Sequence, residues 1–306
     1  MAEMNIKINC AGNKSFTVEN LISYEWSRDS SAACDGLRLC FESETPLAEA
    51  VSLEMKKEGE LLFFGYVDLQ SRSDNREFIY ARSSACLLVD NEAPQLTYNS
   101  PCVNSLFALN AAPLGFVNRL KNSYTAESYT VSRGTSCYGA INNFVRMFSN
   151  KSVLVNPQGE LYIPDGKVAY TVNPESILSE KRSIKRGSAV SRIDYKTDGD
   201  YVHHRESRAL TRLGIKRTRH LNAAPLSELQ RSRYLSRRLE EAAKAYYSAE
   251  ITVEGVETAE LYSPVILDGY DGYYITSLVT AFSAGGETTK ITLFKKLDLE
   301  EADYVA

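Results

Sequence analysis

Apolar and polar residues alternate along much of residues 1–95, which is the period-2 pattern of half-buried β-strands. The run Ile6–Cys10 alternates in this way, and the alternation resumes in Ser15–Val18 after a turn at Asn13. Further runs of this kind are Gly36–Phe41, Ala50–Met55, Leu61–Val67 and Glu77–Ala81. Turn residues separate the runs at short intervals, and no crossover helix fits between them. Residues 1–95 therefore have the pattern of a small antiparallel barrel or sandwich, and a first small antiparallel β-barrel domain is predicted there.

Residues 96–175 have a different pattern, with helices followed by a hairpin. Ser100 is predicted to cap a short helix that begins at Pro101. A second helix is predicted from apolar residues at i, i+3, i+4 and i+7, which are Ile141, Phe144, Val145 and Phe148. The turn Asn156–Gly159 has proline second and glycine fourth, which predicts a hairpin connection. This helix-plus-hairpin region is expected to dock on the barrels.

Residues 176–306 contain a basic segment, one long helix and the last strands. Ser227 and Gln230 form a capping-box pattern at the start of the helix. Its apolar face comprises Leu235, Leu239, Ala242 and Tyr246, and we expect this face to pack on a barrel. The strands after it are predicted at Ala249–Val253, Pro264–Leu267, Gly272–Leu278 and Thr289–Phe294. Gly285-Gly286 predicts the hairpin between the last two. The whole chain is thus predicted to be mainly β (α+β), with residues 176–306 as a second small antiparallel β-barrel domain.

The two β-rich ends resemble each other in the order of their features. Near the amino terminus, strands at Val51–Glu54, Phe64–Asp68 and Phe78–Tyr80 follow one another, with a glycine in the second. Near the carboxyl terminus, Val265–Asp268, Gly272–Thr276 and Ile291–Leu293 follow the same order. This similarity indicates an internal domain repeat.

Composition places the chain among folded proteins and excludes several classes. It has 306 residues, 43% of them hydrophobic and 24% charged, which excludes disordered and collagen-like chains. No apolar run is long enough to span a bilayer, and the amino terminus does not have the pattern of a secretory signal. The six cysteines form no CxxC pair, so we expect buried free thiols rather than disulfides or a zinc site.

The sequence contains no recognisable catalytic motif. It has no phosphate-binding loop, no GxSxG and no HExxH. His203 and His204 are adjacent, and neighbouring side chains on a strand point to opposite faces, so they are not expected to bind one metal ion together. We expect no catalytic, cofactor or metal site. An enzyme that uses His203, His204 or Glu206 is kept as the weaker alternative.

Charge is distributed unevenly along the chain, whose formal net charge is −4. Residues 181–220 hold 12 Lys/Arg and 4 Asp/Glu, whereas residues 241–306 hold 4 Lys/Arg and 12 Asp/Glu. The basic segment has few aromatic residues for base stacking, so direct specific binding of nucleic acid is not expected. Contact between copies of the chain is favoured instead. The predicted subunit-interface residues are Arg212, Lys216, Arg217, Arg219, Arg231 and Arg238.

The order of these features resembles the central baseplate hub proteins of contractile phage tails and phage-like injection particles (the late control protein D type). The resemblance covers most of residues 1–298, and the stretches that carry it are Phe63–Asp68, Tyr80–Asp90, Ala140–Phe144, Asn156–Ile163, Gly272–Leu278 and Gly285–Leu293.

The resemblance implies a homotrimer in which each protomer contributes two similar barrels to a pseudo-sixfold ring. Such a ring would join the tail tube protein to the central spike protein, in contact with other baseplate proteins. It implies synthesis in the bacterial cytoplasm and assembly into the tail baseplate, and we expect no appended lysozyme or peptidase domain. A non-catalytic cell-surface or carbohydrate-binding β-protein remains the alternative.

Overall fold

The computed structural model describes residues 4–120, 124–197, 200–222, 228–244, 246–296 and 301–305. The strands of the amino-terminal part are β1 Met4–Cys10, β2 Lys14–Thr17, β3 Asn20–Asp29, β4 Gly36–Glu42, β5 Ala50–Lys57, β6 Glu60–Ser73 and β7 Arg76–Ser83. Those of the middle part are β8 Leu96–Asn99, β9 Val117–Asn118, β10 Ser128–Val131, β11 Leu154–Val155, β12 Glu160–Tyr162 and β13 Tyr170–Thr171.

The carboxyl-terminal part adds nine strands within the described residues, and five α-helices are distributed along the chain. These strands are β14 Ile177–Ile184, β15 Arg192–Thr197, β16 Asp200–Ser207, β17 Thr218–Asn222, β18 Tyr247–Glu254, β19 Val265–Ile266, β20 Tyr273–Ser283, β21 Gly286–Lys295 and β22 Glu301–Val305. The helices are α1 Cys86–Asp90, α2 Val103–Asn110, α3 Cys137–Val145, α4 Arg208–Arg212 and α5 Glu228–Ala243. The fold is mainly β (α+β), which confirms the predicted class.

One 11-stranded sheet runs through both β-rich parts of the chain. Its order is β14-β18-β21-β20-β3-β4-β7-β6-β5-β1-β2, and every pairing in it is antiparallel. The pairing of β20 with β3 joins the two parts, from Ser277 opposite Asp29 to Phe282 opposite Tyr24. Each part has its own apolar core, one around Leu53 and Phe63 and the other around Ile251. We call this pairing of β20 with β3 the internal joint; β3 was not among the strands predicted from the sequence.

The two β-rich parts contain a repeat, as two four-stranded units with the same strand order. We call β3-β4-β7-β6 the first unit and β14-β18-β21-β20 the second unit. In the first, Leu39 of β4 pairs with Tyr24 and Ile79; in the second, Ile251 of β18 pairs with Glu180 and Ile291. Register shifts fall at matching places, which are Leu21/Ser23 and Val67/Leu69 in the first unit and Ile177/Ser179 and Ile275/Ser277 in the second. Three strand pairings therefore match residue for residue. Two of the three predicted matches, β6 with β20 and β7 with β21, belong to this repeat; the predicted match of Val51–Glu54 with Val265–Asp268 is wrong, because β5 lies outside the first unit and β19 pairs with β13 in a separate sheet.

The middle part packs its two helices into a separate core. Phe144 and Val145 of α3 are fully buried in it, beside Leu106 of α2. The predicted hairpin is present between β11 and β12. The predicted start of the first helix at Ser100-Pro101 is wrong: α2 begins at Val103 and is capped by Cys102, which has the extended backbone of a cap, whereas Ser100 has a left-handed backbone with φ 50°.

The long helix α5 packs on a four-stranded sheet of its own rather than on the large sheet. That sheet has the order β17-β15-β16-β22, and Leu235, Leu239 and Ala242 of α5 are buried with Ile193 and Tyr195 of β15. The apolar face was therefore predicted correctly, but its predicted partner was wrong. The reason is that the basic segment folds into strands that bury one face. The predicted capping residues, Ser227 and the side chain of Gln230, lie outside the described residues.

Candidate subunit interface

Strand β14 is one edge of the large sheet. It pairs with β18 on one side and with no strand of the described chain on the other. Leu178 and Ile184 on this strand are 57% and 62% exposed. An unpaired strand that carries exposed apolar side chains is a template for pairing with another chain.

The second half of β6 offers a similar edge. β6 pairs with β7 as far as Ser73, but its pairing with β5 ends at Tyr66. Within the described residues, the stretch Leu69–Ser73 therefore has a strand neighbour on one side only, and Leu69 is 59% exposed. Neither edge was predicted from the sequence, although the polar character of Gln70–Ser73, unusual for a central strand, was a signal.

The matching registers of the two units relate these edges to the joint inside the chain. Strand β6 of the first unit corresponds to β20 of the second unit, and Leu69 corresponds to Ser277. Strand β14 of the second unit corresponds to β3 of the first unit, and the position of Lys185, just after β14, corresponds to that of Asp29. One chain thus contains a formed joint, β20 with β3, and the two separate halves of an equivalent joint, β6 and β14.

The predicted basic residues of the α4 region lie beside the end of β14. Arg186 donates to the carbonyl oxygen of Leu213 at 2.6 Å, and Arg217 donates to that of Arg186 at 2.5 Å. These bonds hold the loop after α4 against the segment after β14. Arg212, Lys216, Arg217 and Arg219 are all exposed there, so the structure brings these four predicted interface residues to one end of the edge.

The other two predicted interface residues lie on α5, away from this group. Arg238 donates to the hydroxyl of Tyr234 at 3.4 Å and to Glu241 at 3.3 Å. Arg231 is half-buried. Burial raises the pKa of the Tyr195 hydroxyl, and the nearby positive charge of Arg231 lowers this pKa by a smaller amount. Arg238 is therefore held by contacts within its own chain.

Charged groups also fix the joint between the two units. The hydroxyl of Tyr24 on β3 donates to Glu287 on β21 at 2.5 Å. Burial raises the pKa of Tyr24 far above its usual range, and this hydrogen bond raises the pKa further. Arg28 stacks on the ring of Trp26 at 4.4 Å and donates to the carbonyl oxygen of Glu257 at 3.1 Å. The joint is thus tied by polar contacts across the two units as well as by strand pairing.

The structure places two of the histidines near one carboxylate. On β15, Asp194 lies between His204 of β16 and His220 of β17, and Nδ1 of His220 is 3.4 Å from Asp194. The side chain of His203 lies outside the described residues. Across the part of the chain that the structure describes, no three His, Cys, Asp or Glu side chains form a metal-binding group, and the cysteines described there are free thiols.

The fold matches solved structures along almost the whole chain. A 43 kDa tail protein of prophage MuSo2 from Shewanella oneidensis has a TM-score of 0.75 at 15% identity, covering 97% of this chain and 98% of that one. A tail protein from Neisseria meningitidis has a TM-score of 0.76 at 16% identity, covering 95% and 96%. This chain has the fold of phage tail proteins.

A third similar structure comes from a secretion system. It is an E. coli component of the type VI secretion system, described as similar to T4 bacteriophage tail proteins, with a TM-score of 0.60 at 11% identity, covering 97% of this chain and 77% of that one. No protein-family model matches the sequence, and no curated protein matches it either. None of the helices among the described residues has the length and apolar character needed to cross a membrane.

Proposed function

We propose that this protein is the structural hub of a phage or phage-tail-like baseplate, a homotrimer whose six units form a ring between the tail tube and the central spike. The tail-protein fold and the internal repeat both support this role. The proposed function is structural and non-catalytic. Its partners are the tail tube protein, the spike protein and other baseplate proteins. The protein is made in the bacterial cytoplasm and assembled into the tail baseplate of a phage or phage-like particle.

The observation that carries the proposal is the pair of unjoined edges. If β6 of one protomer pairs with β14 of the next as β20 pairs with β3 within the chain, every unit contacts its neighbours in the same way. A head-to-tail contact of this kind closes into a ring when its rotation allows. With two units in each protomer, three protomers give six equivalent joints and leave neither of these edges unpaired.

The internal joint also predicts the register between protomers. Val279 lies opposite Ser27 in the chain, so Ser71 of one protomer is expected opposite Ser183 of the next. Two like-charged pairs result, Arg72 opposite Arg182 and, just after the end of β6, Asp74 opposite Glu180. Each of these guanidinium groups is already bound within its own chain, to Glu77 at 2.8 Å and to Glu180 at 2.7 Å respectively.

The mass of the purified protein in solution tests the trimer. The chain has a mass of 34.1 kDa, and light scattering coupled to gel filtration should give three times that value, unchanged on dilution into the micromolar range. A stable monomer at all concentrations would contradict the hub and favour a cell-surface or carbohydrate-binding β-protein.

A further inference from the structure

Three charged side chains form a cluster next to the stretch Leu69–Ser73 of β6. The Arg82 guanidinium donates from Nε to Asp68 at 2.5 Å and from Nη2 to Asp90 at 2.7 Å. We call Asp68, Arg82 and Asp90 the acidic cluster, because two carboxylates around one guanidinium leave one net negative charge. The hydrogen bond from Arg82 lowers the pKa of Asp90, which keeps this carboxylate ionised at neutral pH.

The acidic cluster is open to solvent and can accept more hydrogen bonds. The side chains of Asp68 and Asp90 are 30% and 53% exposed. Each carboxylate oxygen of these two residues accepts one hydrogen bond from Arg82, and a carboxylate oxygen has room for a second. Within the described part of the chain, Arg82 is the one cation that pairs with either carboxylate. A further cation can therefore bind here from another molecule.

The register of the internal joint places the acidic cluster beside the end of β14 of the next protomer. In the internal joint, Ser277 lies opposite Asp29. Leu69 corresponds to Ser277, and Lys185 corresponds to Asp29. Lys185 of one protomer is therefore expected opposite Leu69 of the other, one residue from the acidic cluster.

The internal joint continues for one residue beyond this pair. The backbone N–H of Ser30 donates to the carbonyl oxygen of Thr276 at 2.8 Å. Thr276 lies at the register shift of β20, and Asp68 lies at the matching register shift of β6. The equivalent bond between protomers would run from the backbone N–H of Arg186 to the carbonyl oxygen of Asp68. This contact would bring the segment after β14 directly to the acidic cluster.

Lys185 would also lie on the same face of the sheet as the acidic cluster. Ala81 of β7 is buried in the core of the first unit, so its neighbour Arg82 points to the opposite face. Leu69 pairs with Tyr80, two residues from Arg82, and therefore lies on the face of Arg82. A residue opposite Leu69 shares that face. Because neighbouring strands lie about 4.8 Å apart with about 3.3 Å between residues, a lysine side chain reaches from there to Asp68.

Cations without a partner are present at this end of β14. Lys185 and Lys216 are exposed, and neither forms an ion pair among the residues that the structure describes. The loop that carries Lys216 is fixed beside β14 by the bonds between Arg186 and Leu213 and between Arg217 and Arg186. One edge thus ends in free positive charges, and the other ends in carboxylates that can accept them.

We propose that the acidic cluster of one protomer binds Lys185 of the next protomer, with Lys216 at the rim of the contact. The occupant of this surface is therefore a second copy of the chain. The inference rests on the proposed ring and adds to it the acidic surface that receives the basic residues beside β14.

This contact would also favour the correct pair of edges. The β14 edge carries Lys181, Arg182 and Lys185 within five residues. Pairing of β14 with β14 of another copy would bring these cations together, and like charges at a contact are unfavourable. The β6 edge offers carboxylates instead. The charges would therefore direct head-to-tail contact between protomers.

Exchange of charges tests the site. Asp90→Lys and Lys185→Glu, each alone, should slow trimer formation about tenfold at 50 mM salt, because each brings like charges together at the contact. The variant with both substitutions restores opposite charges and should associate within about threefold of the parent rate. Time-resolved light scattering after dilution of dissociated protein measures the rates, and urea unfolding checks that each variant is folded. Should Asp90→Lys fail to fold, Asp90→Asn keeps the side-chain shape and should slow association about threefold.

Glu58→Lys is the matched control. Glu58 is an exposed acid in the turn before β6, away from the stretch Leu69–Ser73, so Glu58→Lys should not restore the rate of Lys185→Glu. The assignment is overturned if the single reversals leave the rate unchanged, or if Glu58→Lys compensates for Lys185→Glu as well as Asp90→Lys does. In that case, trimers by mass would leave the hub intact, whereas a chain that stays monomeric would contradict the hub together with this site.

Discussion

Asp35 lies at the edge of a cavity of about 80 Å³ that Arg28 and Tyr162 also line. Burial raises the pKa of Asp35 to about 6, and the nearby Arg28 guanidinium partly offsets this increase. In an unfolded chain the same carboxyl titrates near 3.9. The folded state therefore binds this proton more tightly than the unfolded chain does. The protonated carboxyl contributes to the free energy of unfolding below about pH 4, and this contribution is lost as the pH rises through about 6.

Asp35→Asn should remove this loss of stability at rising pH, because an amide does not titrate. Urea unfolding at pH 4, 5, 6 and 7 should show the parent losing on the order of 2 kcal/mol relative to the variant across this range. The variant, which keeps the side-chain shape, serves as the reference for all other titrating groups. Parallel curves for the two proteins would show that Asp35 titrates normally in the folded chain.

Among the elements, the long helix α5 provides a direct test of packing. Leu239 is 0% exposed and lies in the core between α5 and the four-stranded sheet. Leu239→Ala should lower the free energy of unfolding by about 2–5 kcal/mol, because it removes buried methyl groups and leaves a cavity.

Leu109 on α2 is the matched control for this substitution, since it is 42% exposed. Leu109→Ala should change the free energy of unfolding by less than about 1 kcal/mol. Equal effects of the two substitutions in urea unfolding would mean that α5 does not pack through Leu239.

The sequence predicted those elements whose pattern is local. Strands such as β4 and β5 alternate apolar and polar residues, and α3 has its apolar residues at helical spacing. Strand β3 was missed because only Tyr24 and Trp26 are buried in it, with Glu25 between them and polar residues on either side. Strands β15 to β17 were missed because their polar faces made the whole segment look like a basic surface.

The candidate interface could be predicted only in part, because strand pairing over long distances is not encoded in a local pattern. The basic residues were identified from charge alone, and four of the six lie together beside β14. The edges themselves depend on which strands pair: β6 has a half without a second neighbour because its pairing with β5 extends only as far as Tyr66, opposite Ser52. At the level of the whole chain, the order of strands predicted two of the matching strand pairs of the repeat, β6 with β20 and β7 with β21, but not that β20 and β3 join its copies.

For the whole molecule, we predict that charge guides assembly. The variant carrying Arg212→Glu, Lys216→Glu and Arg219→Glu should form trimers several-fold more slowly than the parent at 50 mM salt, because opposite charges accelerate and orient the encounter of proteins. Arg217 is left unchanged because it holds the loop through the carbonyl oxygen of Arg186. For the parent, the association rate should fall between 50 and 500 mM salt as screening increases.

A variant with three exposed cations reversed elsewhere, Arg133→Glu, Lys167→Glu and Lys290→Glu, is the control for net charge. Time-resolved light scattering after dilution of dissociated protein measures the rates. If both variants associate as fast as the parent at every salt concentration, the basic residues beside β14 face something other than the next protomer.

The central claim is that β6 of one protomer pairs with β14 of the next in the register of the internal joint, and disulfide trapping tests it most directly. In the variant with Ser71→Cys and Ser183→Cys, mild oxidation should give covalent trimers on a non-reducing gel, since directly opposed residues in a sheet lie within disulfide reach. Each single variant, with only Ser71→Cys or only Ser183→Cys, should give no covalent trimers. The pair Ser71→Cys and Ser179→Cys, displaced by four residues or about 13 Å along the strand, should also give none. A protein that is trimeric by mass but shows no cross-link with Ser71→Cys and Ser183→Cys would contradict this pairing while leaving the hub intact.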